Sequence, residues 1–522
     1  MLKFYNFIRF IPIFFILFTI GVVLIPQNSD KSESTLVYAT YGDIGDWDPS
    51  SFFSLEILTL GNVYETLVRY NPNSDNNVIE PCLAEEWSVS DDGLTWTFRL
   101  RKDVYFHDGT ELTSESVKSS IERTIKLNKG GAYIWDPVKS IKLIDKHSLE
   151  IKTHFPAPVD LIASSQYAAY IYSMPTGIYA ETWFNEGNAS GTGPYQVRQW
   201  DRNHQVVIEK FNRYWKKWDT GQIERVIFKI VRESATQVQM ILSGEADFVT
   251  LVPVEILEAM NKHKGIKISF IPSWKNSQFL INTKKEPTNN IFFRKALTHA
   301  WDYNSVIEDI YENSAETPSG ILPKSIWGHS KLKLPEFDLV KAKKYLDASG
   351  ISNDKLNIEI AYISTSTAYQ YAAELFQNNL SKIGIKAELK PGSWGTIWSD
   401  AKTDNRAPNL ISMTWWPTYP TPSDWLIGLF KTEEPTNFNL SKYSNSTYDG
   451  LIEEGVKLEA SNRKDAIEKY TEAQEILVDD AVAIFFADLK ERVIYRNDIE
   501  NLLSNPAYSY IDIYNLRRKK KF

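Results

Sequence analysis

Apolar and polar positions alternate most cleanly at Trp96-Thr97-Phe98-Arg99-Leu100-Arg101, which places Trp96, Phe98 and Leu100 on one face of a strand. The earlier run Leu36-Val37-Tyr38-Ala39-Thr40 predicts another strand, closed by turn signals at Gly42, Gly45 and Asp48-Pro49. Leu55, Leu58, Val63 and Leu67 then recur at near-helical spacing and predict a helix. Turns are expected at Asp91-Asp92-Gly93 and His107-Asp108-Gly109, and Thr113 stands where it would cap a helix carrying Val117, Ile121 and Ile125. Further on, the pattern predicts strands over 205–209, 226–231 and 385–389 and helices over 290–311, 367–383 and 463–478. Helices and strands interleave without a repeat period, as in mixed α/β lobes.

At 522 residues the chain is long enough for two or three folded units, and hydrophobic and charged shares of 43% and 24% fit a folded, water-soluble body. A net charge of −8, with no basic face before the last six residues, argues against nucleic acid as a partner. Cys82 is the single cysteine, so no intramolecular disulfide can form, and its expected role is that of a small buried hydrophobe. The 16 tryptophans are a heavy load; such rings suit a ligand cleft as well as a core.

Lys3 and Arg9 precede an uncharged run over 10–25, followed by a polar stretch over 27–35. That layout is expected of a secretory signal or signal anchor with its basic end in the cytoplasm. Leu24-Ile25-Pro26-Gln27 offers no small-residue cleavage site, and no cysteine stands ready for lipid attachment, so residues 1–34 are expected to be an uncleaved anchor and tether. The body would then lie at the extracytoplasmic face of the membrane. Arg517-Arg518-Lys519-Lys520-Lys521 is expected to be a solvated tail.

Six ordered blocks carry a resemblance. They are Glu80-Pro81-Cys82-Leu83-Ala84-Glu85-Glu86-Trp87 with its continuation through Asp91-Asp92-Gly93; Val104-Tyr105-Phe106-His107-Asp108-Gly109-Thr110; Gly191-Thr192-Gly193-Pro194-Tyr195; Phe211-Asn212-Arg213-Tyr214-Trp215; Phe293-Arg294-Lys295-Ala296-Leu297; and Ile383-Gly384-Ile385. In these blocks the chain, from Thr35 to about Leu516, resembles the extracellular solute-binding proteins of family 5, the oligopeptide, dipeptide and nickel type that serve ABC importers. The resemblance implies a two-lobed α/β clamp with a satellite domain inserted in the first lobe. It places the first lobe at 35–77 and 187–275, the satellite at 78–186, the second lobe at 276–487 and the return to the first lobe at 488–522. Such lobes close over a ligand about a short hinge. The implied partners are a peptide or other small solute and the permease subunits, with the receptor itself a monomer.

Peptide-binding relatives receive the ligand's amino group on a carboxylate just before a Tyr-x-x-Pro stretch. Here the stretch reads Trp415-Trp416-Pro417-Thr418-Tyr419-Pro420-Thr421-Pro422, so Thr418 stands in the carboxylate's place. Asp424 is a substitute carboxylate on one reading and a helix cap on the other. Ser412 occupies a position where oligopeptide binders carry an arginine. The aromatic candidates for the cleft are Trp394, Trp415, Trp416 and Tyr419, and weaker candidates are Tyr41, Trp274 and Asn276. A peptide-like ligand is the expected cargo; an oligosaccharide or a nickel chelate is the alternative on the same fold.

Enzyme chemistry is not expected. Seven histidines include no i, i+4 pair, and there is no HExxH or Gly-x-Ser-x-Gly, so neither a metal site, a cofactor nor a nucleophile elbow is predicted. Gly191-Thr192-Gly193 lacks the Lys-Ser/Thr of a phosphate loop and reads as a turn. A remote rival is a glycoside hydrolase with a carboxylate pair across the cleft, since 66 aspartates and glutamates leave that arithmetic open.

Overall fold

The computed structural model describes residues 34–52, 57–73, 78–175, 180–312 and 314–519. The predicted anchor at 1–33 lies outside the described residues, among which no helix is long and apolar enough to cross a membrane.

Most predicted strands are present. Thr35–Thr40 buries Leu36 to Thr40, and Thr95–Leu100 buries Trp96, Phe98 and Leu100 on one face. Thr113 caps Ser114–Leu127 through a capping box with Ser116. Val117 and Ile121 of that helix are buried but Ile125 is exposed, because a spacing of four drifts around a 3.6-residue helix. Thr367–Lys382 and Arg463–Asp479 form as long helices, the first followed by Gly384 at φ +91°.

Two predicted helices are cut short. The helix expected around Leu58, Val63 and Leu67 is a single turn, Ile57–Leu60; Leu55 lies outside the described residues. The chain leaves the helix at Gly61, where a Cβ would lie 2.5 Å from the Tyr510 ring, and Asn62 uses its side chain to hold the Leu58 and Ile511 carbonyls. The helix expected over 290–311 stops at Ile291–His299; Asp302 then caps a new turn through its carboxylate and the Ser305 N–H.

Ten strands form a continuous path, in the order Lys386–Gly392, Asn357–Ile363, Leu410–Trp415, Ile266–Ile281, Ala483–Arg496, Phe248–Val249, Thr35–Thr40, Arg225–Ile230, Gln205–Lys210, Tyr195–Asp201. Ala315–Glu316 adds to Ala483–Arg496 off that path. The two long strands make a ribbon common to both halves. Its Asn276–Ile281 part pairs with Leu410–Trp415, while its Ile494–Tyr495 part pairs with Phe248–Val249. A separate antiparallel sheet orders Ala84–Val89, Thr95–Leu100, Ser148–Thr153 and Val138–Asp145. Its core runs on without a break into the second half, so that Trp96, Phe98, Trp425 and Tyr470 belong to one apolar cluster.

Two of the sequence blocks meet at one buried glutamate. Glu65 accepts from Trp215 Nε1 at 2.9 Å, Thr192 Oγ1 at 2.9 Å and Tyr214 Oη at 2.9 Å. Gly191 and Gly193 pass beneath the Val63 carbonyl so closely that a Cβ would stand 2.1 and 2.6 Å from its oxygen. The Gly-Thr-Gly segment is therefore a packing seam that delivers Thr192 to Glu65. His107, partly buried beside it, shares a 2.9 Å hydrogen bond with the Gly193 carbonyl oxygen, and desolvation of the ring pushes its imidazole down to about 4.

The basic tail is not wholly solvated. Arg517–Arg518 pairs with Ile499–Glu500, and Arg518 donates to Asp247 at 3.1 Å and to Asp498 at 2.9 Å. Asp247 is buried, and an ionised carboxylate taken out of water needs such a partner.

Candidate functional site

The loop that leaves Leu410–Trp415 crosses to the helix Pro422–Phe430 and carries most of the candidate residues. Thr421 caps that helix by accepting from the Ser423 N–H, with Pro422 at its first position, so the cap role weighed for Asp424 belongs to Thr421. Asp424 lies in the first turn, partly buried, and accepts from Trp415 Nε1 at 3.1 Å. Trp415 reaches it by lying across Gly428, where a Cβ would stand 2.7 Å from the indole, and by meeting Phe438 edge-on.

Among the described residues no lysine, arginine or histidine pairs with Asp424. Burial pushes its carboxyl up to about 7; the Trp415 N–H and the Thr418 backbone N–H pull the other way, and Glu459 adds a like charge. Glu459 is itself buried beneath the loop, accepting from Thr421 Oγ1 at 2.5 Å and Tyr470 Oη at 2.6 Å, with no hydrogen-bond partner for Oε2 among the described residues. Burial raises the Glu459 carboxyl as well. Tyr419 lies against both acids, and burial followed by their charges pushes its phenol well up.

A raised carboxyl contributes stability that is fully present below the ordinary aspartate range near ~4 and is lost as pH rises through about 7. Asp424→Asn and the parent protein are therefore expected to melt alike near pH 4. By pH 8 the variant should melt a few degrees higher in differential scanning calorimetry.

Thr418 is only 6% exposed and is held by residues distant in the chain. Its hydroxyl shares a short hydrogen bond with the Tyr133 phenol, and its carbonyl accepts from Ser165 Oγ at 2.7 Å. Tyr133 keeps 46% of its surface exposed although burial of its phenol, and after it the Asp424 charge, push that group above its ordinary range. Nearby, Arg463 Nη2 donates to both oxygens of buried Asp160 at 2.7 Å, with Trp327 beneath the guanidinium. Two segments, around Tyr133 and over 160–165, thus close on the second half of the chain. The sequence reading did not find these residues.

The other candidates fall into different settings. Trp416 stands 44% exposed on the rim of a recess, with Trp274, Pro417, Gln166, Tyr508 and Glu491 among its walls. Trp274 is buried, donates Nε1 to Ser325 Oγ at 3.0 Å and meets Tyr70 edge-on. Asn276 is committed at both ends, donating to the Ile321 carbonyl at 2.8 Å and accepting from Trp425 Nε1 at 3.3 Å. Asn276 thus braces the wall, and only Trp274 of the two reaches the recess. Ser412 is buried and accepts from the Ile363 N–H at 3.1 Å, which removes it from the cleft surface. Trp394 opens the helix Trp394–Ala401 and packs on the margin of the large core cluster, while Tyr41 is exposed beyond the first strand. Neither contacts the 415–424 loop in the bonds and ring contacts described above.

The family model of bacterial extracellular solute-binding proteins, family 5, matches residues 78–437. A probable D,D-dipeptide-binding periplasmic protein of Escherichia coli is 24% identical over 466 residues, 88% of each chain. Among solved structures, an ABC transporter substrate-binding protein of Listeria monocytogenes superposes with a TM-score of 0.83 at 20% identity, over 93% of this chain and 99% of that one. A periplasmic binding protein of Helicobacter pylori, in complex with the peptide STSA, gives 0.74 at 25% identity over 93% and 98%. The two-lobed α/β architecture of these proteins is the architecture of this chain.

Proposed function

Because the chain belongs to the bacterial extracellular solute-binding proteins of family 5, and is accordingly a receptor rather than an enzyme, we propose that it captures a peptide-like solute bearing a protonated amine and delivers it to an ABC permease. The observation that carries the choice of solute is Asp424, a carboxylate of the 415–424 loop that no cation among the described residues balances. An ammonium group on Asp424 would restore the ionised form, make a charge-assisted hydrogen bond worth ~1.5 to 3 kcal/mol, and lie against aromatic faces that favour cations. Thr418 takes no part as an anchor in this reading, its hydroxyl and carbonyl being held by Tyr133 and Ser165. A neutral oligosaccharide would leave the carboxylate without a counter-charge. Trp416, Tyr419 and the recess wall at Trp274 supply apolar surface for side chains, with Trp415 orienting the acid; Trp394 and Tyr41 belong to the outer margin of the same proposal. The receptor would work as a monomer held to the extracytoplasmic face by its amino-terminal segment.

The test is a thermal-shift screen of the protein against pooled di- to decapeptides, oligosaccharides and nickel chelates. Ligand at a hundredfold excess over Kd stabilises the folded form by ~2.7 kcal/mol. A shift with peptides is expected, abolished in Asp424→Asn and weakened in Trp416→Ala, whose own melting temperature should stay within about a degree because the ring is exposed. A shift confined to sugars, or one untouched by Asp424→Asn, overturns the proposed solute class.

A further inference from the structure

The ribbon of Ile266–Ile281 and Ala483–Arg496 shifts register at two places, a one-residue shift between Ser277 and Gln278 and a larger one between Pro272 and Asn276. Ile266 to Pro272 pair with Arg496 to Lys490, and Asn276 to Leu280 pair with Asp488 to Ala483. Between them Ser273, Trp274 and Lys275 face Leu489 alone, so three residues oppose one. Such a bulge interrupts the ladder and bends the strand. It sits midway between the part of the ribbon that pairs with one half of the sheet and the part that pairs with the other, which is where lobes joined by this ribbon would bend.

Asp488 is the residue on the second-lobe side of that bulge. It is 8% exposed, and among the described residues neither carboxylate oxygen has a hydrogen-bond partner. The charged groups around it are already engaged with one another. Glu316 lies directly across on Ala315–Glu316 and binds both Lys490 at 2.8 Å and Lys324 at 3.1 Å. Asn276, opposite on the other strand, spends its amide on the Ile321 carbonyl. A dry carboxylate without a donor is costly when ionised and tolerable when protonated.

We propose that Asp488 is a proton-operated element of the hinge: the bulge as it stands here holds the carboxyl protonated, and opening it admits water and lets the group ionise. Lobe closure then takes up one proton from solution, and acid favours the closed form. Burial, with Lys324 acting against it and Glu316 with it, places this carboxyl at about 7, against ~4 for a hydrated aspartate. Closure is accordingly favoured most at pH 4 and below, and the advantage is lost as pH rises to 7. The inference rests on the two-lobed clamp of the proposed receptor but not on the nature of its solute.

The experiment is pulsed dipolar spectroscopy on the full-length chain without ligand, with spin labels at Lys262→Cys and Lys344→Cys, both exposed positions; the native Cys82 is buried. Both proteins compared carry Asp424→Asn, which removes the other carboxyl placed at about 7 beside the interlobe contacts. With Asp488 present, the ratio of closed to open form should rise by up to about tenfold per pH unit from pH 7 to pH 5. Adding Asp488→Asn should leave a ratio that no longer depends on pH and that at pH 8 exceeds the parent's. A flat profile with Asp488 present, or an equal slope without it, overturns the proposal.

Discussion

Arg463→Ala is expected to open the molecule. Asp160 is buried and both of its oxygens are held by this one guanidinium, so removal of the arginine leaves a dry carboxylate, a loss of ~3 to 5 kcal/mol when nothing can relax. Here something can relax. The pair joins a helix of the second half to the segment just before Ser165, and parting the two surfaces returns Asp160 to water at the cost of the neighbouring contacts of Thr418 with Tyr133 and Ser165. Small-angle scattering should therefore show a larger radius of gyration in the variant at neutral pH, with the affinity for the proposed peptide-like solute weakened about a hundredfold or more, as ~3 kcal/mol requires. Unchanged scattering together with a lowered denaturation midpoint would mark the pair as ordinary stabilisation of a fixed interface.

Glu65→Ala should damage the first lobe without touching the cleft. Three donors, from Trp215, Thr192 and Tyr214, lose their acceptor at once. Buried donors left unpaired cost ~1 to 3 kcal/mol each, so on the order of 4 kcal/mol is expected in urea denaturation after partial relaxation. Glu65→Gln keeps one acceptor oxygen and should lose roughly half as much. Equal losses in the two variants would show that the volume of the side chain, not its acceptors, is what the lobe requires.

The two cases also show where sequence reading reaches. The blocks Gly191-Thr192-Gly193 and Phe211 to Trp215 were visible as family markers, and the alternation of Trp96, Phe98 and Leu100 correctly marks a buried face. Their meeting at Glu65 was not visible, because hydrogen bonds across 127 and 150 positions leave no local trace. The short helix at Ile57–Leu60 was over-extended for the same reason: the ring that stops it belongs to Tyr510. Asp302 is a different matter, since an aspartate three residues before Ser305 is a legible cap that the apolar periodicity over 290–311 overrode. In the cleft loop the resemblance drew attention to Thr418 and Asp424, but the partners Tyr133, Ser165 and Asp160 lie 285, 253 and 303 positions from the groups they bind. Composition and spacing carry no information about such pairs.

The carboxyl-terminal residues set the order in which this protein can be built. Thr35–Thr40 pairs with Phe248–Val249, which in turn pairs with Tyr495 and Ile494, and Arg518 donates to the Thr35 carbonyl at 3.0 Å across 483 positions. A chain emerging from the ribosome makes Thr35–Thr40 about 480 residues before it makes Arg518, which locks that strand in place. The elements from Ile291–His299 to Arg463–Asp479 are made well before Arg518 and can condense earlier. Contacts so distant in sequence also slow the final search. The first lobe should therefore be the last part of the molecule to become resistant to protease during synthesis or refolding.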